Sequence, residues 1–356
     1  MTETHRQHAL AAWFAEREGL APQAVDIRAV AGDASFRRYF RAACANGDSV
    51  ILCDAPPATE KNREFVTIAR AFAGAGVRVP QVLHADIGRG FLVLEDLGDR
   101  TLLPELREGN VDGHYAAALA MLERLARLDS SGLGLLPYDA AHLQREMDLF
   151  PEWFCEGLVG LNVDSEARVH FERLSACLIE RAQQQAQVVV HRDFHARNLM
   201  VLDSGELATI DFQDAVIGPV TYDPVSLLRD CYLRWPAGDV RLWALQHREG
   251  LLDLAVPVPS ADEFLVDFDW MGLQRHIKVL GIFARLKLRD GKGGYLGDLP
   301  RVMGYVREVL ALYPGEPALA GFAAWFEAEV VPRAEAQPWY APVPEMASPR
   351  GAGDGP

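Results

Sequence analysis

Residues 188–214 read V-V-V-H-R-D-F-H-A-R-N-L-M-V-L-D-S-G-E-L-A-T-I-D-F-Q-D. Val188, Val189 and Val190 form a short apolar run of the kind that makes a buried strand. The run delivers His191, Arg192 and Asp193 into a loop that closes at Asn198. Residues 199–202 and 207–210 then read as the two arms of a hairpin, with Asp203, Ser204 and Gly205 as the turn. The second arm ends on Asp211, followed by Phe212 and Gln213.

This order of polar groups is chemically specific. Phosphoryl transfer from ATP requires a carboxylate facing the acceptor hydroxyl and oxygen ligands for Mg²⁺ on the nucleotide side. The kinase catalytic loop supplies both in the spacing H-R-D-x-x-x-x-N, and His191, Arg192, Asp193 and Asn198 match it without a gap. Asp211, at the exit of the hairpin, stands where kinases keep the D-F-G aspartate. Any one of these residues alone reads as an ordinary turn former. The joint pattern of strand, loop, hairpin and exit carboxylate makes Asp193 the candidate catalytic residue, and Asn198 and Asp211 the candidate metal ligands.

The Asp-Phe-Gln-Asp in place of D-F-G, followed by Gly218-Pro219 and Tyr222-Asp223, resembles the aminoglycoside phosphotransferase superfamily of small-molecule kinases. Within it, Gly32-Asp-Ala-Ser-Phe-Arg-Arg-Tyr-Phe-Arg41, Asp54-Ala-Pro-Pro57 and Leu94-Glu-Asp-Leu-Gly98 are similar to the bacterial anomeric kinases of N-acetylmuramate and N-acetylglucosamine. The resemblance runs from near residue 10 to near residue 330. It implies an α+β, two-lobed protein-kinase-like fold with ATP in the cleft, Mg²⁺ as cofactor, and transfer to a sugar's anomeric hydroxyl in cell-wall recycling. Two other readings compete: an aminoglycoside as acceptor, and a nucleotide-binding pseudokinase.

Composition narrows the class. The chain has 356 residues, 49% apolar and 24% charged, which is ordinary for a globular protein of about two domains. Lys plus Arg is 35 and Asp plus Glu 50, a formal net charge of −15. An acidic surface disfavours nucleic-acid partners and anionic membranes. The five cysteines are scattered without a C-x-x-C pair, which suits reduced thiols in a cytoplasm and argues against a zinc site. No apolar run approaches bilayer length, and the N-terminus lacks the apolar core of a signal peptide.

Read in order, residues 1–98 form a small β-rich lobe. A helix over 4–19 precedes strands at 25–31, 36–43 and 49–54, a helix at 61–74, and strands at 81–86 and 90–94. By the kinase resemblance, Gly32 and Ser35 of the first turn cover the ATP phosphates, and backbone groups at Glu95 and Leu97 hold the adenine edge. The family's strand-three lysine is missing from residues 50–54. Arg37, Arg38 and Arg41, with Lys61, are the cations that can replace it, and Arg38 and Arg41 are carried as the nucleotide-binding pair. Glu60 and Glu64 are the candidates for the helix glutamate.

Residues 99–336 read as a helical lobe, with helices at 111–128, 141–157, 165–185, 239–252, 262–288, 297–312 and 316–336. Asp223-Pro224 carries an N-cap and first-position signal for a further helix to about residue 233, so Asp223 reads as structural first. On the long 262–288 helix, Trp270, Arg275 and Lys278 are the substrate candidates, an aromatic and two cations suited to a carboxylated sugar. Residues 337–356, rich in Pro, Gly and Ala, read as a disordered tail.

Overall fold

Apolar alternation becomes strand where a helix covers one face. The computed structural model describes residues 3–30, 37–341, 343–344 and 346. Among these, nine strands form: β1 (Arg28–Ala29), β2 (Arg38–Ala43), β3 (Ser49–Asp54), β4 (Val82–Asp86), β5 (Phe91–Glu95), β6 (Gln187–Val190), β7 (Leu199–Val201), β8 (Leu207–Thr209) and β9 (Val216–Pro219). The chain divides by packing into two units. One comprises Met1–Thr101, Leu128–Gly134 and Asn198–Ala215; the other Leu102–Arg127, Leu135–Arg197 and Val216–Pro356.

In the first unit, β1 to β5 make one antiparallel sheet in the order β1-β2-β3-β5-β4. Helix α1 (Glu3–Glu18) lays Leu10, Trp13 and Phe14 on one face of it, against Phe40, Leu52, Phe91 and Val93. Residues Phe91 to Leu94 of β5 are all buried, so the alternation is lost there because both faces are covered. Helix α2 (Asn62–Gly74) stacks Phe65 on Phe212, with ring centroids 4.9 Å apart. The β7–β8 hairpin belongs to this unit as well: Val201 N–H donates to Arg100 O and Thr209 N–H to Arg78 O, each at 2.8 Å. The boundary near residue 98 therefore does not describe the packing, because the hairpin following the catalytic loop joins the first unit.

The second unit is built on helices α3 (Val111–Ala126), α4 (Ala140–Met147), α5 (Ser165–Gln184), α6 (Tyr222–Leu228), α7 (Ala237–Asp253), α8 (Ala261–Leu288), α9 (Leu299–Leu312), α10 (Pro317–Trp325) and α11 (Val331–Glu335). Long, mostly buried α8 is its spine, and its Leu273, Ile277, Leu280 and Ala284 enter the core with Phe150, Phe154 and Met303. Strand β6 pairs antiparallel with β9. Among the described residues no helix is long and apolar enough to cross a membrane.

Several sequence expectations change. The strand expected at 25–31 shrinks to Arg28–Ala29, since Pro22 opens a 3₁₀ turn before it. The helix expected at 141–157 ends at Met147, and Phe150–Leu158 continues as a π-helix with Pro151, which has no N–H to donate, in its first turn. The 316–336 helix is interrupted by a π-helical stretch, Phe326–Val330. The tail is anchored at its start: Trp339 and Tyr340 pack on the core, and Met346 N–H donates to Arg234 O at 2.8 Å.

Candidate active site

The loop after β6 is held by carboxylates from the segment that follows β9. Asp223 accepts the backbone N–H of His191 at 2.6 Å and of Arg192 at 3.0 Å. Asp230 accepts the N–H of Ala196 and of Tyr232, each at 3.0 Å. Asp223 is thus not the N-cap of α6, as its Asp-Pro signal suggested. Thr221 occupies that position, and the Asp223 side chain reaches back to the loop instead. Burial pushes the Asp223 carboxyl up to about 7, although both N–H donors work against this. The loop needs this support because Arg192 has φ +76°, a left-handed conformation unfavourable for a side chain of that size.

Asp193 follows Arg192 directly and lines a cavity of about 400 Å³ within the second unit. Five cations line the same cavity (Arg145, Arg192, Arg275, Lys278 and Arg285), against two carboxylates, Glu146 and Asp193. A positive recess in a chain of net charge −15 is a built feature. Glu146 accepts from Arg192 at 2.7 Å and lies 2.9 Å from Lys278 Nζ; the Tyr138 hydroxyl also donates to it. Lys278 donates to the Tyr222 hydroxyl at 2.8 Å. Burial alone would pull the Lys278 ammonium down, but Glu146 and Tyr222 more than offset this, so it stays charged. Arg275 is 5% exposed and donates to the Cys231 thiol at 3.5 Å. Among the described residues, Arg145, Arg275 and Arg285 have no carboxylate within ion-pair distance.

Of the substrate candidates, Arg275 and Lys278 come together with Asp193. Trp270 does not: it is buried in the core, edge-on to Tyr313 at 6.0 Å. At 3.6 residues per turn Trp270 lies about 140° around α8 from Arg275, which puts it on another face. Glu146, Tyr138, Tyr222 and His195 are cavity residues or supports that sequence reasoning missed. For Glu146 a signal existed, since a glutamate shares the apolar stripe of α4 with Leu143 and Met147. His195 packs edge-on to Tyr232, and burial pulls its imidazole below the usual range, keeping it neutral.

Asn198 and Asp211 lie at one end of the β7–β8 hairpin in the first unit. Leu199 pairs with Thr209, and Ile210 N–H donates to Asn198 O at 3.0 Å, so the two polar residues flank the same rung. Asp211 has φ +64°, the second strained non-glycine position of the motif, and its carboxylate accepts from Gln213. One amide and one carboxylate oxygen at the end of a rigid hairpin fit Mg²⁺, which takes one or two protein oxygens and completes its shell with phosphate and water.

On the nucleotide side, Gly32 and Ser35 lie outside the described residues. Arg38 and Arg41 are both ion-paired within this unit. Arg38 binds Asp54 at 2.5 Å, and Arg41 binds Asp96 at 2.6 Å and Asp99 at 2.8 Å. Lys61 and Glu64 are exposed. Arg37 is different: it is buried, 3.2 Å from Glu60 and over the Phe65 ring at 5.0 Å. Glu95 and Leu97 line a cavity of about 940 Å³ in this unit, with Val50 and Val201. Arg78 binds Glu95 at 2.8 Å and holds its carboxyl below the usual range.

A model of the phosphotransferase enzyme family matches residues 26–259. An N-acetylmuramate/N-acetylglucosamine kinase from Pseudomonas aeruginosa is 42% identical over 304 residues, 85% of this chain and 88% of that protein. One of the same description from Neisseria meningitidis is 43% identical, covering 81% of this chain and 86% of its own length. Among solved structures, an ethanolamine kinase from Plasmodium vivax superposes with a TM-score of 0.62 at 10% identity, over 84% of this chain and 87% of the other. That likeness bears on fold alone, and the fold it supports is the protein-kinase-like α+β one.

Proposed function

The chain belongs to the phosphotransferase enzyme family, and from that premise we propose that it transfers the γ-phosphoryl group of ATP to the anomeric hydroxyl of N-acetylmuramate and N-acetylglucosamine. The observation that carries the acceptor is the cationic recess around Asp193, with three arginines lacking a carboxylate partner among the described residues. A lactyl carboxylate suits that wall. A polycationic aminoglycoside would meet repulsion there, which weighs against the drug reading. A pseudokinase has no use for a carboxylate held in a strained loop by two further carboxylates, which weighs against the binding-only reading.

In this reading Asp193 accepts the proton of the anomeric hydroxyl, which is more acidic than the other sugar hydroxyls, so a carboxylate is base enough. The sugar oxygen forms its bond to phosphorus as the bond to the ADP oxygen breaks. Arg275 orients the acceptor through its carboxylate. On the nucleotide side, Asn198 and Asp211 are the residues that would hold Mg²⁺, which when bound neutralises phosphate charge. Arg37, braced by Glu60, takes the place of the absent strand-three lysine. Glu95 and Leu97 present the adenine-binding backbone. The five free cysteines suit a reducing cytoplasm.

The test is ATP-dependent transfer to a panel of amino sugars and aminoglycosides, with phosphorus–proton coupling locating the phosphate. Sugar 1-phosphates from both N-acetyl sugars are expected. A 6-phosphate, or transfer to kanamycin-like drugs alone, would overturn the reading.

A further inference from the structure

Glu146 is the one carboxylate besides Asp193 in the cavity wall, and it does more than fill space. Asp139 caps the start of its helix by accepting from His142 N–H at 2.8 Å. The helix then turns Glu146 inward beside Leu143 and Met147, leaving it 9% exposed. Arg192 from the catalytic loop and Lys278 from α8 both end on this carboxylate, and Tyr138 donates the third hydrogen bond. Burial pushes the Glu146 carboxyl up, but Lys278 and Arg192 together bring it down to about 2, so it is ionised at any working pH.

Resting on the acceptor reading above, we propose that Glu146 is a positioning residue that sets acceptor specificity: by binding Arg192 and Lys278 it withdraws two of the five cavity cations from the acceptor. The arginines left over (Arg145, Arg275 and Arg285) attract a carboxylated sugar. The Glu146 carboxylate offsets one of the two charges it binds, which keeps the recess moderate enough for an uncharged sugar. Without Glu146 the formal charge of the cavity wall would rise from 5 − 2 = +3 to 5 − 1 = +4, and Arg192 and Lys278 would lose their shared carboxylate. A carboxylated acceptor gains attraction from that change, whereas an uncharged one gains nothing.

The experiment compares kcat/KM for N-acetylmuramate and N-acetylglucosamine in wild type, Glu146→Gln and Lys278→Met, with KM for ATP and Tm alongside. Glu146→Gln is expected to shift the ratio toward the carboxylated sugar by roughly fivefold or more, with KM for ATP unchanged. Lys278→Met removes one of the held cations, so it is expected to shift the ratio the opposite way. A purely structural role for Glu146 would lower both efficiencies together and leave the ratio where it was; that result overturns the assignment. If Glu146→Gln shows no cooperative melt, the sign of the Lys278→Met shift decides alone. Wild-type transfer to neither sugar would instead bring down the acceptor reading, and this assignment with it.

Discussion

Asn198 and Asp211 lie on one hairpin whose strands pair directly, whereas the wall around Asp193 is assembled from α4, the catalytic loop, α6, the segment at 231–232 and α8. The first region is a local device. Its turn and three-rung ladder are specified by residues close in sequence, and Phe65 of α2 stacks on Phe212 beside it. The second depends on side chains far apart in the chain, such as Glu146 and Lys278, meeting as ions in a buried space. The two also differ in charge. The hairpin end offers oxygen ligands suited to a cation, and the recess offers guanidinium and ammonium groups suited to an anion. These opposite electrostatics are what the proposed division, nucleotide-bound metal at one and acceptor at the other, rests on.

The largest effects should separate the regions. Asp193→Asn is expected to lower kcat by about a thousandfold or more while KM for ATP stays near wild type, since the proposed role of the residue is toward the acceptor. Asp211→Ala should give a comparable loss of turnover, but with ATP binding that no longer responds to Mg²⁺ in a titration. Steady-state kinetics and nucleotide titration with and without Mg²⁺ check the pair. Identical kinetic signatures in both variants would break the division of labour.

A smaller effect concerns the support of the loop. The Asp223 carboxyl, ordinarily near 3.8, is pushed up to about 7 by burial. A group whose folded-state value is raised contributes stability that is fully present below its unfolded value and lost as pH rises through the folded one. Asp223 should therefore favour folding at pH 4 and progressively cease to do so between about 4 and 7. Melting temperatures of wild type and Asp223→Asn across that range should converge as pH rises, with the variant the flatter of the two. Parallel curves would show that Asp223 does not titrate in this window.

How much of this was legible in the sequence follows the same comparison. The loop after β6, strand β3 and the β7–β8 hairpin could be read because each is encoded within a few residues. The role of Asp223 could not. Asp-Pro is a sound N-cap signal, but its carboxylate bonds to N–H groups more than thirty residues earlier, and only tertiary packing reveals that. Trp270 was misplaced for a related reason. A helix that is buried nearly all round gives no amphipathic stripe from which to choose the face toward the cavity. Arg38 and Arg41 looked available because their carboxylate partners, Asp54, Asp96 and Asp99, stand on other strands and loops. Glu146 was visible as a charge on an apolar stripe, yet its two cationic partners lie 46 and 132 residues away.

The division between nucleotide and acceptor regions is tested most directly by crossing two arginines. KM for ATP and KM for N-acetylmuramate are measured in Arg37→Ala and Arg275→Met. The account predicts that Arg37→Ala raises KM for ATP by about tenfold and leaves the sugar KM near wild type, while Arg275→Met does the reverse. It also predicts that KM for N-acetylglucosamine moves less than that for N-acetylmuramate in Arg275→Met. A variant that raises both constants equally, or an Arg275→Met that weakens both sugars alike, would contradict it.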